Sequence, residues 1–287
     1  MASTITLKRR IKSITNTRQI TKAMELVSAS KLRRAQSYAG RSREYRDLAY
    51  DLLKKLNAMS EVERMPLFQK RQVRNRLFVI ITSNTGLAGA YNANILKLLT
   101  LGLREGHSNV KNHVITIGSK GAQFVRRLQD VDLMAAYSPF GDQPTANDIR
   151  PLLNTVIDAY TDEKVDQVSI IYTDFKTNLV QEAVNLQLLP APILDIDSQT
   201  PAISNFEPDV ETVVQEVTTR LIEAQLWQAV LESLASEHAM RMVATKNATD
   251  NANDLIDDYT LELNTARQAA ITQELAEISG GTEALNG

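Results

Sequence analysis

The sequence predicts an α/β protein with a long antiparallel coiled coil. N- and C-terminal helices form a hairpin shaft, and a mainly parallel α/β domain is inserted between them. Three observations carry this reading. Some seventy residues from Pro208 to Ile278 contain no further proline and no glycine before Gly280. Both ends of the chain place apolar or small residues at alternating steps of three and four, which keeps one helix face on a partner. The two ends also carry opposite charge: residues 1–60 hold 14 Lys/Arg against 4 Asp/Glu, net +10, and residues 208–287 hold 4 against 14, net −10.

The first helix is expected over 3–57. Ser3 or Thr4 can cap it, and Leu7, Ile11, Ile14, Thr21, Ser28, Leu32, Ala35, Ala49, Leu52 and Leu56 set its stripe. Gly40 is its one interior glycine, worth about 1 kcal/mol against alanine and too isolated to end it. At the usual rise it is about 80 Å long, and the C-terminal helix about 105 Å. That second stripe runs Val210, Val214, Val217, Leu221, Ala224, slips phase near Trp227, and resumes with Leu231, Ala235, His238, Met242, Thr245, Thr249, Ala252, Ile256, Tyr259 and Leu263. Small residues dominate both stripes, so the pair buries little area per turn.

Between the helices the periodicity changes after Met65-Pro66. Leu77–Thr82, His113–Gly118 and Val168–Tyr172 are apolar runs of strand length, Leu133–Tyr137 reads as a short strand, and Val180–Leu188 alternates like a half-exposed one. Helical patterns at Asn92–Arg104, Lys120–Gln129 and Thr145–Tyr160 separate them. This alternation predicts a mainly parallel sheet. Pro190, Pro192, Pro201 and Pro208 mark a loop-rich return. The division is 1–60, first coil helix; 61–207, α/β domain with linkers; 208–287, second coil helix and tip.

With Asn57 and Pro208 taken as level at the hairpin base, paired positions sum to about 265. Residues 264–278 then protrude, leaving Ala266, Ala270, Ile271 and Leu275 without an intrachain partner. An uncovered half-apolar tip implies another protein around it.

Composition excludes several classes. The 287 residues contain no cysteine, which removes disulfides, thiol nucleophiles and thiolate metal sites. No run of 18 apolar residues suggests a membrane span, and the basic N-terminus has no apolar core of a signal peptide. Gly86-Leu-Ala-Gly89 matches neither the dinucleotide nor the Walker A pattern, and neither it nor Gly118-Ser-Lys-Gly121 predicts a cofactor. The histidines are scattered, and no carboxylate cluster has metal-ligand spacing. No nucleophile-elbow sequence suggests catalysis. The basic first helix offers a nucleic-acid reading by charge alone, but stacking aromatics are absent until Tyr38 and the acidic helix faces half of that field. A protein partner with acidic loops is the preferred expectation.

Two local patterns remain. The expected register puts Ile20-Thr-Lys-Ala-Met24 level with Arg241, one of four basic residues in the acidic helix. Arg267-Gln-Ala-Ala-Ile-Thr272-Gln-Glu274 lies wholly in the overhang and offers a guanidinium, an amide (Gln268), a hydroxyl and a carboxylate for specific, breakable contacts.

At these residues the chain resembles the gamma subunit of rotary F-type ATP synthases. The similarity runs through Leu7-Lys-Arg-Arg-Ile-Lys-Ser-Ile-Thr-Asn-Thr-Arg-Gln-Ile-Thr-Lys-Ala-Met24, Leu234-Ala-Ser-Glu-His-Ala-Met-Arg-Met242, Ala248-Thr-Asp-Asn-Ala252, Leu261 and Arg267-Gln-Ala-Ala-Ile-Thr-Gln-Glu-Leu275. The resemblance implies an antiparallel coiled coil carrying a Rossmann-like domain. It implies a central rotor shaft turning inside a ring of three alpha and three beta subunits, with a foot on epsilon and the membrane c-ring. Catalysis would belong to beta and its alpha interfaces. Arg267, Gln268 and Thr272 then look like contacts to the beta catch region, with Met24 and Arg241 beside them. Lys8, Arg9 and Lys31 would meet acidic loops of beta, and Phe206-Glu207 would touch the foot. No cofactor, nucleic acid or direct membrane insertion is implied.

Two departures from the family pattern stand out. Ser83-Asn-Thr-Gly-Leu-Ala-Gly89 replaces Ser-Asp-Arg-Gly-Leu-Cys-Gly, which removes both charges and leaves the turn's polar contacts open. The cysteine-bearing insertion of chloroplast homologues is absent, which points to a bacterial complex on the cytoplasmic face of the membrane.

Overall fold

The fold comes from a computed structural model, which describes residues 4–57, 65–105, 110–138, 140–141, 144–192 and 210–286. Helix α1 covers Thr4–Asn57 and helix α5 covers Val210–Asn286, 54 and 77 residues. α5 continues through Gly280-Gly281, where the sequence pattern suggested an end near 278. Glycine lowers helix propensity by about 1 kcal/mol but does not clash with the helical backbone as proline does.

Between these helices run β1 (Asn75–Ile81), α2 (Tyr91–Arg104), β2 (Lys111–Ile117), α3 (Ser119–Val125), β3 (Val131–Tyr137), α4 (Ala146–Thr161), β4 (Gln167–Phe175) and β5 (Gln181–Leu189). The sheet order is β3-β2-β1-β4-β5. The first four strands are parallel, and β5 pairs antiparallel with β4.

The chain divides into two compact units, residues 1–27 with 242–287, and residues 28–241. In the first, the α1 and α5 ends pair antiparallel. Leu7 and Thr21 are buried on α1, and Thr245, Thr249 and Ala252 on α5. Ile11, Ile14, Ile256, Tyr259 and Leu263 are half-buried, as the stripe requires. Arg10 lies over the Tyr259 ring, Arg18 bonds Asn253 and Thr21 bonds Thr249, so paired positions sum to 269, 271 and 270. This corrects the expected 265. The two arms need not leave the hairpin base at equal height, and only the seam contacts fix their offset. Met24 therefore lies level with Lys246 rather than with Arg241. Every described residue from Arg267 to Ser279 is exposed, including Ile271, Leu275 and Ile278.

In the unit 28–241 both sheet faces are covered, which is why β1, β2 and β4 read as continuous apolar runs. Phe78, Ile80, Val114 and Ile171 pack on Tyr91, Ile95 and Leu99 of α2 and Val125 of α3. On the other face Val79, Ile81, Ile115, Val168 and Ile170 pack with α4 residues Ile149, Leu152 and Val156. The same core takes in Val214, Leu221, Ile222, Leu226, Ala229 and Val230 of α5. From Leu221 to Leu226 every residue of α5 is buried, so the helix is covered on all sides where a stripe predicts one buried face. Its polar residues Glu223, Gln228, Glu232, Ser233, Ser236 and Arg241 are buried with it. Such groups are stable there only when hydrogen-bonded or paired.

The glycine turns have structural causes. At Gly118, with φ +94°, an added Cβ would stand 2.0 Å from the Thr82 carbonyl oxygen. In the 83–89 turn the left-handed residues are Leu87 (φ +60°) and Gly89 (φ +56°), while a Cβ on Gly86 would meet open space.

Candidate partner-contact site

The exposed tip of α5 carries polar and apolar residues together. Arg267, Gln268, Thr272 and Glu274 are exposed, and so are Ile271 and Leu275. The Thr272 hydroxyl donates to the Gln268 carbonyl at 2.9 Å, an internal helix bond that leaves its lone pairs outward. Gln273 holds Glu277 at 2.9 Å, further along the same helix. Among the described residues of this unit, the side chains from Arg267 to Ser279 are all exposed.

Lys8 and Arg9 are exposed on α1, and Met24 is half-buried. Near Met24 an open groove of about 570 Å³ is lined by Arg18, Lys22, Leu26, Asp250 and Asn253. Lys22 also pairs with Glu25 at 3.0 Å, an exposed i,i+3 bridge of small energetic weight. Lys31, in the other unit, is half-buried. Phe206 and Glu207 lie outside the described residues.

Arg241 is arranged differently. It is 7% exposed and its guanidinium turns onto its own chain. Nη2 donates to the Glu237 carboxylate at 2.7 Å, to the Thr85 hydroxyl at 3.0 Å and to the Gly86 carbonyl at 3.5 Å. The turn that lacks the family's two charges thus receives one from α5. Ser83 is held by Asn92, whose Oδ1 accepts the Ser83 N–H at 3.0 Å, and Asn84 accepts the Ser119 N–H at 2.9 Å. Thr85 and Glu237 stand in stretches quoted for the family resemblance, but neither their bonds to Arg241 nor the parts played by Tyr91 and Ser233 are legible there. Their contacts span up to 156 positions, and no local pattern announces them.

Among the described residues no group of His, Asp or Glu is placed to hold a metal ion, and no helix is long and apolar enough to cross a membrane.

Two long terminal helices with a doubly wound domain inserted between them in the chain define the class of protein, and the comparisons narrow it. The family model described as ATP synthase matches residues 3–285. The ATP synthase gamma chain of Stenotrophomonas maltophilia (strain R551-3) is 40% identical over 288 residues, 99% of this chain and 100% of that one. That of Staphylococcus aureus (strain JH9) is 37% identical over 289 residues, again 99% and 100%. The chain belongs to the ATP synthase gamma chain family. A chain in the Euglena gracilis mitochondrial ATP synthase (OSCP/F1/c-ring, rotational state 3) shares the fold with TM-score 0.71 at 20% identity, covering 98% of this chain and 94% of that one. A chain in the Tetrahymena thermophila mitochondrial ATP synthase central stalk/c-ring does so with TM-score 0.63 at 24% identity, covering 80% and 99%.

Proposed function

We propose that this chain is the central-stalk rotor subunit of a proton-translocating ATP synthase, coupling c-ring rotation to ATP synthesis and hydrolysis in a ring of alpha and beta subunits. It does no chemistry itself; the catalytic sites belong to the ring. Epsilon and the c-ring are its partners at the foot, where Phe206 and Glu207 are contacts. The complex sits at the cytoplasmic face of a bacterial membrane, with this chain peripheral to the bilayer. Working parts follow the composition: 1–60 and 208–287 as shaft, 61–207 as the domain that carries the foot. Through the shaft the chain also regulates ATPase activity and proton flow.

The observation that carries this reading is the uncovered tip. A helix end that exposes Ile271, Leu275 and Ile278 beside Arg267, Gln268, Thr272 and Glu274 offers a surface suited to an enclosing partner. Arg267 and Gln268 offer charged and amide hydrogen bonds that can be made and broken once per turn. Lys8, Arg9 and Lys31 give the shaft a basic side for acidic loops of beta, Met24 lies on the same helix, and Arg241 supports the set from within its own unit. In membranes carrying the complex, replacing Arg267 and Gln268 by alanine should lower ATP synthesis while the purified chain keeps its unfolding midpoint. Unchanged synthesis at unchanged complex yield would refute the role of the tip.

A further inference from the structure

Strand order reverses between β1 and β4: the chain moves outward from β1 to β2 and β3, then returns to β4 on the other side of β1. In doubly wound sheets the crevice outside the carboxyl ends of the strands at this reversal is where small ligands bind. Here α5 occupies it. Near the end of β4, the Thr173 N–H donates to the Ser233 hydroxyl at 3.1 Å, and the Ser236 hydroxyl donates to the Thr173 carbonyl at 3.3 Å. Both backbone groups of one strand residue are thus satisfied by side chains of α5. On the β1 side Arg241 bonds Thr85 and Gly86 in the turn that leaves the strand, and Glu237 holds Arg241. Tyr91, from α2, brings its hydroxyl to the Ile81 carbonyl at 3.4 Å. Burial, reinforced by the Glu237 carboxylate, pushes its phenol far above the ordinary pKa, so it stays neutral. The space left, lined by Ile81, Thr82, Tyr91, Val230 and Glu237 among others, is about 30 Å³. That is room for about one water, whereas small-molecule pockets take about 300 Å³ or more.

We propose that this crevice is a mechanical socket: α5 sits where a ligand sits in related sheets, and Ser233, Ser236, Glu237 and Arg241 are positioning residues that lock the α/β domain to the shaft helix. The proposal rests on the rotor reading above. Torque passing between domain and helix must not be lost to sliding. The apolar contacts of Leu221, Leu226 and Val230 are non-directional and tolerate sliding; hydrogen bonds are directional and do not. The polar contacts gather at one end of the sheet, so that end fixes both the height and the rotation of α5.

The chain has no cysteine, which makes a direct test clean. A Cβ built on Gly89 lies 3.9 Å from the Met240 Cβ, inside the roughly 3.5–4.5 Å range of a disulfide. In the assembled complex, Gly89→Cys with Met240→Cys ties the turn to α5, with closure verified by mass. If the socket moves as one body, the oxidised complex pumps as many protons per ATP hydrolysed as the reduced one. Arrest on oxidation that a reductant reverses would overturn the proposal, because α5 would then have to shift in the socket during turnover. Thr85→Val removes one acceptor of Arg241, and Glu237→Gln takes the charge from the other. Losing a charged hydrogen bond shifts a two-state joint by roughly ten-fold, so protons per ATP should fall at unchanged complex yield, and the oxidised cysteine pair should restore them. An undiminished ratio, or no rescue, contradicts the role. Failure of the wild-type chain to assemble with alpha and beta would sink the rotor reading instead. The socket is then read in the isolated full chain, where Ser233→Ala should speed Thr173 amide exchange by roughly ten-fold; unchanged exchange would count against it.

Discussion

The hydroxyls of Thr21 and Thr249 are hydrogen-bonded at 2.8 Å within the seam of the paired helix ends. Each also has a backbone carbonyl acceptor on its own helix, Arg18 at 3.0 Å and Thr245 at 2.8 Å. The pair therefore sets the offset of the two helices while leaving no hydroxyl stranded if one partner goes. Thr249→Val should cost about 1 kcal/mol, the usual net worth of a buried hydrogen bond. The double variant with Thr21→Val should cost less than the sum, because either single variant already breaks the one bond the two hydroxyls share. A double-mutant cycle by denaturant unfolding measures this; strict additivity would mean the bond contributes nothing to the register.

Two glycines separate flexibility from necessity. Gly40 lies exposed within α1, and an added Cβ meets nothing within 4 Å. Gly40→Ala should stabilise the chain by about 1 kcal/mol. Gly118→Ala should instead prevent proper folding of the α/β domain, since its Cβ would overlap the Thr82 carbonyl at 2.0 Å from a φ of +94°. Thermal unfolding of both variants distinguishes these outcomes, and a stable Gly118→Ala chain would contradict the turn geometry.

Met24→Lys places an ammonium level with Lys246 on the neighbouring helix, in the register fixed by Thr21 and Thr249. The added charge is unfavourable within the coil and attractive to an acidic partner loop. Protons pumped per ATP hydrolysed should fall by roughly two-fold or more, because a misplaced interfacial charge changes which contacts are preferred. Pumping efficiency equal to that of the unsubstituted complex would argue that Met24 lies away from any partner.

Much of this architecture can be read from the chain itself. Helix period and opposite charge delimit α1 and α5, and the apolar runs locate β1, β2 and β4 to within a few residues. The register cannot be read so well, because Thr21 and Thr249 are 228 positions apart and residues of similar size sit at several neighbouring offsets. The tip residues were visible as polar hooks beyond the seam. The buried polar set was not: a stripe analysis treats Ser233, Ser236 and Glu237 as the wet side of α5, and only the sheet packed against them makes that side dry. Arg241 illustrates both halves. Its oddity as a basic residue in an acidic helix is legible, while its acceptors Thr85 and Gly86 come from folding.

Thr272→Ala and Glu274→Ala change exposed positions on a helix surface, where substitutions usually alter stability by no more than about 0.5 kcal/mol. Unfolding midpoints should therefore stay fixed while rotation-coupled ATP synthesis falls. A loss of stability comparable to that of a core substitution would show that the tip is covered by its own chain.

The rotor account is tested most directly by capture. Affinity-tagged full-length chain, expressed in its host and recovered from detergent-solubilised membranes, should bring down alpha and beta subunits and an ATP-hydrolysing activity. Removing the residues after 266 should weaken that capture. Recovery of the chain alone, or with nucleic acid and no ATPase activity, would contradict it.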